Sequence, residues 1–175
     1  MEKTIATKRI YEGKIINVRV DDVELTNGTL AKREVVEHPG AAAILAITKE
    51  HEAYFVKQFR KPLEIELLEI PAGKLDPGEN PKECAARELA EEIGMAAKDL
   101  RQIAAFYSSP GFASEKLYIF LATGLYPVDV SKPDDEELDV VRIPLTNALR
   151  MAQNGEIEDG KTLVALLLAA RILSL

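Results

Sequence analysis

The sequence predicts an α/β fold of the α+β kind, with strands layered against two or three helices. Three observations lead there. Short apolar or alternating runs, bounded by Gly, Asn-Gly and Pro turns, recur on both sides of a central segment. That segment, Asn80 to Gly94, carries helix start and stop signals around one apolar stripe. The 175 residues suit one domain with a sizeable core, and 47% hydrophobic residues are too many for a disordered chain.

Three antiparallel strands are expected first, at about 3–11, 14–24 and 30–37. Tyr11-Glu12-Gly13-Lys14 and Thr26-Asn27-Gly28-Thr29 read as the turns between them, the second with a strong Asn-Gly signal. His38-Pro39-Gly40 breaks the pattern, and His38 is expected to fix a turn there. Ala41–Thr48 and Glu52–Arg60 read as a buried strand pair turning at Lys49-Glu50-His51. Glu66–Pro71 is a short strand leading into the central segment.

In the central helix Asn80 is a favourable N-cap and Pro81 suits the first helical position. Glu83 stands where a capping box wants it, and Gly94 is placed to end the helix. At 100° per residue, Ala86, Leu89, Ala90 and Ile93 form one stripe, with Glu88, Glu91 and Glu92 on the far side. Arg87 is four residues from both Glu83 and Glu91 and can pair with either. Cys84 is the single cysteine, so no intrachain disulfide exists, and inside the helix it reads as a small packed residue.

Beyond Gly94, Leu100–Tyr107 and Glu115–Gly124 read as strands around the loop Ser108-Ser109-Pro110-Gly111-Phe112. Val128–Glu137 is an acidic loop, Leu138–Ile143 a strand and Leu145–Gln153 a short helix closed by Asn154-Gly155. Asp159 is placed to cap a last helix, Lys161–Leu173, which is apolar nearly all round and so expected to be buried.

A net charge of −7 argues against a general nucleic-acid binder. No apolar run of 18 or more residues and no N-terminal signal segment occur, so no membrane association is expected and the cytoplasm is the default compartment. The two histidines, His38 and His51, lie far from the central helix in sequence, which argues against a zinc site.

Three carboxylates within five residues repel one another unless a cation sits among them. On the glutamates alone, a solvated acidic face is the commoner reading. An oxygen-only donor set otherwise points to a hard divalent cation, Mg²⁺ or Mn²⁺. The preceding loop decides between these. Gly73, Glu79, Arg87, Glu88, Glu91, Glu92 and Gly94 follow the spacing G-x5-E-x7-R-E-x2-E-E-x-G, with aliphatic Leu89 and Met95 at two further positions. Seven such positions coincide by chance at about one start point in 10⁸. This stretch resembles the Nudix box.

The resemblance implies a Nudix fold: a mixed β-sheet sandwiched between helices, with the box as a loop, a helix and a loop. It places the Nudix hydrolase domain at about 39–175 and the first strands, residues 1–38, as an N-terminal antiparallel β subdomain. It implies hydrolysis of a pyrophosphate bond in a nucleoside diphosphate linked to another moiety. Glu88, Glu91 and Glu92, with the backbone carbonyl of Ala72, would hold the metal. Glu88 and Glu92 are about 40° apart around the helix and can reach one point. Arg87 would orient the carboxylates, Gly73 would shape the loop, and Glu79 would support it.

Features outside the box narrow the group. Pro110 lies 15 residues after Met95, in SSPGFASE. With VKQFRKPLE and LLEIPAGKLDPGE, this is similar to the ADP-ribose pyrophosphatase group. The resemblance implies Arg60 as a contact to the diphosphate, with Glu24, Arg33, Pro110 and Glu115 as further substrate-side residues. It implies a general base from the acidic loop Asp134-Asp135-Glu136-Glu137, first Glu136 and then Glu137. It also implies a homodimer built with the N-terminal strands. The expected reaction converts ADP-ribose to AMP and ribose 5-phosphate. The alternatives are a pyrophosphatase for a nucleotide sugar or dinucleotide, and a non-catalytic ADP-ribose-binding module.

Overall fold

A computed structural model describes residues 1–130 and 138–174. The chain divides into two compact units, Met1–Gly40 with Phe106–Leu117, and Ala41–Ala105 with Tyr118–Leu175.

The first unit holds β1 (Lys3–Glu12), β2 (Asn17–Glu24) and β3 (Leu30–Glu37), an antiparallel sheet in that order. The Asn-Gly turn forms as expected: Leu25 N–H donates to Thr29 O at 2.9 Å, and Gly28 takes φ +80°. The second strand begins at Asn17 instead of residue 14. Gly13 N–H donates to Ile16 O and to Asn17 Oδ1, which keeps 13–16 in the turn. Asp21, buried at mid-sheet, accepts from Thr7 and Arg19. Ser114 N–H donates to Val36 O, and Val36 N–H to Phe112 O, so the 106–117 segment is hydrogen-bonded to β3. His38 Nδ1 accepts from Gly40 N–H at 3.0 Å and fixes its turn.

The second unit contains β4 (Ala41–Ala46), β5 (Glu52–Arg60), β6 (Ile65–Glu69), β7 (Ala72–Lys74) and α1 (Pro81–Ile93). These are followed by β8 (Met95–Tyr107), β9 (Lys116–Pro127), β10 (Asp139–Pro144), α2 (Leu145–Gln153) and α3 (Gly160–Leu173). One sheet runs β7-β4-β9-β8 and another β10-β5-β6. The chain turns between β4 and β5 at 49–51 as expected, with Thr48 N–H donating to Glu52 O at 2.8 Å, but the strands do not pair along their length. The two strands lie in different sheets, joined by one bridge between Ile47 and Ala53. Strand β4 is instead buried on both faces, since Ala42 to Ala46 are all 0% exposed. Ala42, Ile44 and Ala46 share a core cluster with Leu89 of α1, and α3 also packs against β4.

Two helix expectations need correction. The buried face of α1 is Cys84, Ala85, Glu88, Leu89, Glu92 and Ile93, while Ala86 is exposed. The stripe is rotated so that two of the three glutamates lie inside it. Helix α3 buries Thr162, Ala165, Leu166 and Ala169 but leaves Leu167 56% exposed, so it is apolar without being enclosed. Among the described residues no helix is long and apolar enough to cross a membrane.

Candidate active site

The site grows out of the passage from β7 into α1. Asn80 caps the helix, its Oδ1 accepting from Lys82 N–H at 2.8 Å, and Pro81 opens the first turn. Gly94 ends it in the left-handed conformation, φ +69°, donating to Ala90 O at 2.9 Å. Gly73 then comes so close to the helix that a Cβ there would lie 1.8 Å from Glu88 Oε1. A side chain at this position would have to displace the Glu88 carboxylate.

Arg87 gathers the carboxylates. Its Nε and Nη2 donate to the two oxygens of Glu79 at 2.9 and 3.0 Å. Its Nη1 donates to Glu88 Oε1 at 2.5 Å and to Glu91 Oε2 at 3.0 Å, and Nη2 also reaches Lys74 O. Arg87 thus turns to Glu79, Glu88 and Glu91 instead of Glu83. Glu79 ties the loop as well, accepting from Asp76 N–H at 2.9 Å. The Arg87 hydrogen bonds hold the Glu79 carboxyl well below its ordinary range, at about 2. Glu92 Oε2 accepts from Ala72 N–H at 3.2 Å, which links the last box carboxylate to the incoming strand. Beneath, burial pushes the Cys84 thiol up to about 12, so it is a packed, unreactive residue.

These groups fit a hard divalent cation in their chemistry. The donors are all oxygen, and Glu88 and Glu92 are only 8% and 6% exposed, where a carboxylate needs a cation nearby. Among the described residues no three acidic, Cys or His side chains are already gathered around one point. The Arg87 guanidinium brings positive charge to Glu79, Glu88 and Glu91.

Arg60 lies at the end of β5. Its Nε and Nη2 donate to Glu69 Oε1 and Oε2, both at 2.6 Å. Glu69 raises the Arg60 basicity most, and Asp159 and Glu92 add attraction through space. Sequence reasoning did not single out Glu69 or Lys161, which pairs with it. The available signal was a lone carboxylate in the apolar run Leu67-Leu68-Glu69-Ile70.

The remaining expected residues belong to the first unit or lie outside the described residues. Glu24 ends β2, opposite Lys3 and Leu30. Arg33 on β3 donates from Nε to Glu2 at 3.0 Å. Pro110 is exposed between β8 and β9. Glu115 accepts from Ser108 Oγ at 2.5 Å and lies 3.6 Å from His38 Nδ1. Glu136 and Glu137 lie outside the described residues.

Residues 36–166 match the NUDIX domain, and residues 2–36 match the nucleoside diphosphate sugar hydrolase N-terminal domain. A Bacillus subtilis (strain 168) protein named ADP-ribose pyrophosphatase is 50% identical over 94% of this chain and 90% of its own length. A Bacillus methanolicus protein named methanol dehydrogenase activator is 44% identical over 94% of this chain and 90% of its own. Among solved structures, one described as an ADP compounds hydrolase superposes with a TM-score of 0.87 at 26% identity. It covers 99% of this chain and 94% of that one.

Proposed function

The chain belongs to the Nudix family, and from that premise we propose that it hydrolyses the pyrophosphate bond of ADP-ribose, giving AMP and ribose 5-phosphate. The observation that carries this reading is the complete box set, with Gly73 pressed on Glu88 and Arg87 shared by Glu79, Glu88 and Glu91. The half-identical relative named ADP-ribose pyrophosphatase supports the choice of substrate.

Glu88, Glu91, Glu92 and the Ala72 carbonyl would hold Mg²⁺, with Mn²⁺ as a substitute. Such an ion supplies charge neutralisation at phosphate oxygens. Arg87 keeps the carboxylates oriented, and the Ala72–Glu92 hydrogen bond keeps strand and helix in register. Arg60 offers its guanidinium to the diphosphate, and Glu24, Arg33, Pro110 and Glu115 belong to the substrate side. A water attacks one phosphorus, its proton passes to a loop carboxylate, Glu136 or else Glu137, and the bond to the bridging oxygen breaks.

ADP-ribose turnover with Mg²⁺, compared between wild type and Glu92→Gln, tests the reading. Loss of at least about a hundredfold in kcat is expected for the variant. Undiminished turnover would sink the metal assignment. A nucleotide sugar is the alternative substrate, supported by the N-terminal match over residues 2–36. A substrate panel ranked by kcat/KM separates the two. ADP-ribose binding in calorimetry with no product after hours would favour a binding module instead. The N-terminal strands, residues 1–38, are further proposed to build a homodimer, supported by the exposed apolar residues of β1 and β3.

A further inference from the structure

Glu69 is 1% exposed, at the end of β6, and no step above uses it. The β5–β6 register, Val56 opposite Glu69 and Arg60 opposite Ile65, puts Glu69 and Arg60 on one face of the pair. Arg60 grips both carboxylate oxygens through Nε and Nη2, a two-point contact that fixes the plane of the guanidinium. Its Nη1 donors take no part in that pair.

The other side of Glu69 is fixed by the start of α3. Lys161, whose side chain is 12% exposed, pairs with Glu69 Oε2 and with Asp159 Oδ1. Asp159 caps the helix by accepting from Thr162 N–H and Oγ1–H, and Thr162 Oγ1 in turn accepts from Ile70 N–H at 2.9 Å. The residue after Glu69 is thereby tied to the same helix turn. Burial pushes the Glu69 carboxyl up, but Arg60 and Lys161 outweigh it and hold it below the ordinary carboxylate value. As a device for stability alone this is costly, because apolar residues of similar volume often serve as well as a buried ion pair.

We propose that Glu69 is a positioning residue for substrate binding. Locked by Lys161 and the first turn of α3, its carboxylate holds Arg60 edge-on, so that the remaining guanidinium donors are presented to the diphosphate. The inference rests on the proposed role of Arg60 in the reading above.

Steady-state kinetics on ADP-ribose with Mg²⁺ test it with Arg60→Ala, Glu69→Gln, Glu69→Asp and the double variant Glu69→Gln/Arg60→Ala, each beside a thermal melt. Glu69→Asp keeps the charge facing Lys161 and shortens the reach to Arg60, so it serves where the Gln variant does not fold. Positioning predicts a KM rise of about tenfold in each single variant, the size of one lost charge-assisted hydrogen bond, with kcat much less affected. The double variant should have the KM of Arg60→Ala alone, since an absent guanidinium needs no holder. A high KM for Arg60→Ala beside wild-type KM in the folded Glu69 variants would overturn the positioning role and leave the Arg60 reading standing. A wild-type KM for Arg60→Ala would overturn the Arg60 reading and the inference with it.

Discussion

Gly73 carries no side chain because the Glu88 carboxylate fills its space. Glu88 is nearly buried, at 8% exposure. Gly73→Ala should therefore push its carboxylate off Arg87 Nη1 while the strand and helix persist. A displacement of this size at a reacting centre lowers kcat/KM by about a hundredfold, to be read in the ADP-ribose assay beside a melt that stays cooperative. Glu79 makes a prediction of another kind. Its folded carboxyl titrates near 2, below the ordinary 4.5 of the unfolded chain, because Arg87 stabilises the charged form. Its contribution to stability is therefore complete above about pH 4.5 and is lost as the pH falls toward 2. Chemical denaturation between pH 5 and 2.5 should show a shallower acid decline in Glu79→Gln than in wild type. Equal declines would show that Arg87 does not hold Glu79 in solution. The box residues were legible from spacing alone, since two glycines and five charged residues at fixed intervals seldom coincide by chance. Glu69 was not, because a single carboxylate in an apolar run does not say which distant cations will meet it.

The two capped helices differ in what their caps hold. Asn80 satisfies one exposed backbone donor, that of Lys82. Asp159 serves Thr162 N–H, Thr162 Oγ1–H and Lys161 together. Asn80→Ala should cost about 1 kcal/mol and Asp159→Ala about 2–3 kcal/mol, measured by urea denaturation at neutral pH. Equal losses would mean that the Asp159 network adds nothing beyond an ordinary cap. Both caps were visible in the sequence because capping is local. The partnership of strands was not. Nothing in Ala41–Thr48 or Glu52–Arg60 distinguishes a hairpin from two neighbouring strands in separate sheets, and the register of β5 is set by β6 and β10. The face of α1 was misjudged for a related reason. A hydropathy stripe assigns glutamates outward, whereas the close approach of Gly73 and the Ala72 hydrogen bond draw Glu88 and Glu92 inward.

At the scale of the molecule, charge and exposure are unevenly shared. Residues 1–40 carry seven Lys and Arg against seven Asp and Glu, so the whole excess of −7 lies in the rest of the chain. The N-terminal strands are neutral while the remainder is acidic. They also expose apolar side chains: all ten residues of β1 are exposed, Ile5 at 55% and Ile10 at 53%, with Leu30 of β3 at 71%. A three-stranded sheet with an open edge strand and outward apolar residues invites a partner. A second copy suits it, because two neutral sheets meet without the repulsion that their acidic remainders would impose. Light scattering at micromolar concentration should give twice 19.3 kDa for wild type. The double variant Ile5→Lys/Leu30→Lys places two cations in one groove, which Ile5 and Leu30 line together with Lys32. It should run as a monomer at physiological salt. A wild-type mass of 19.3 kDa, or a variant that stays dimeric, would mean that this sheet is not where copies meet.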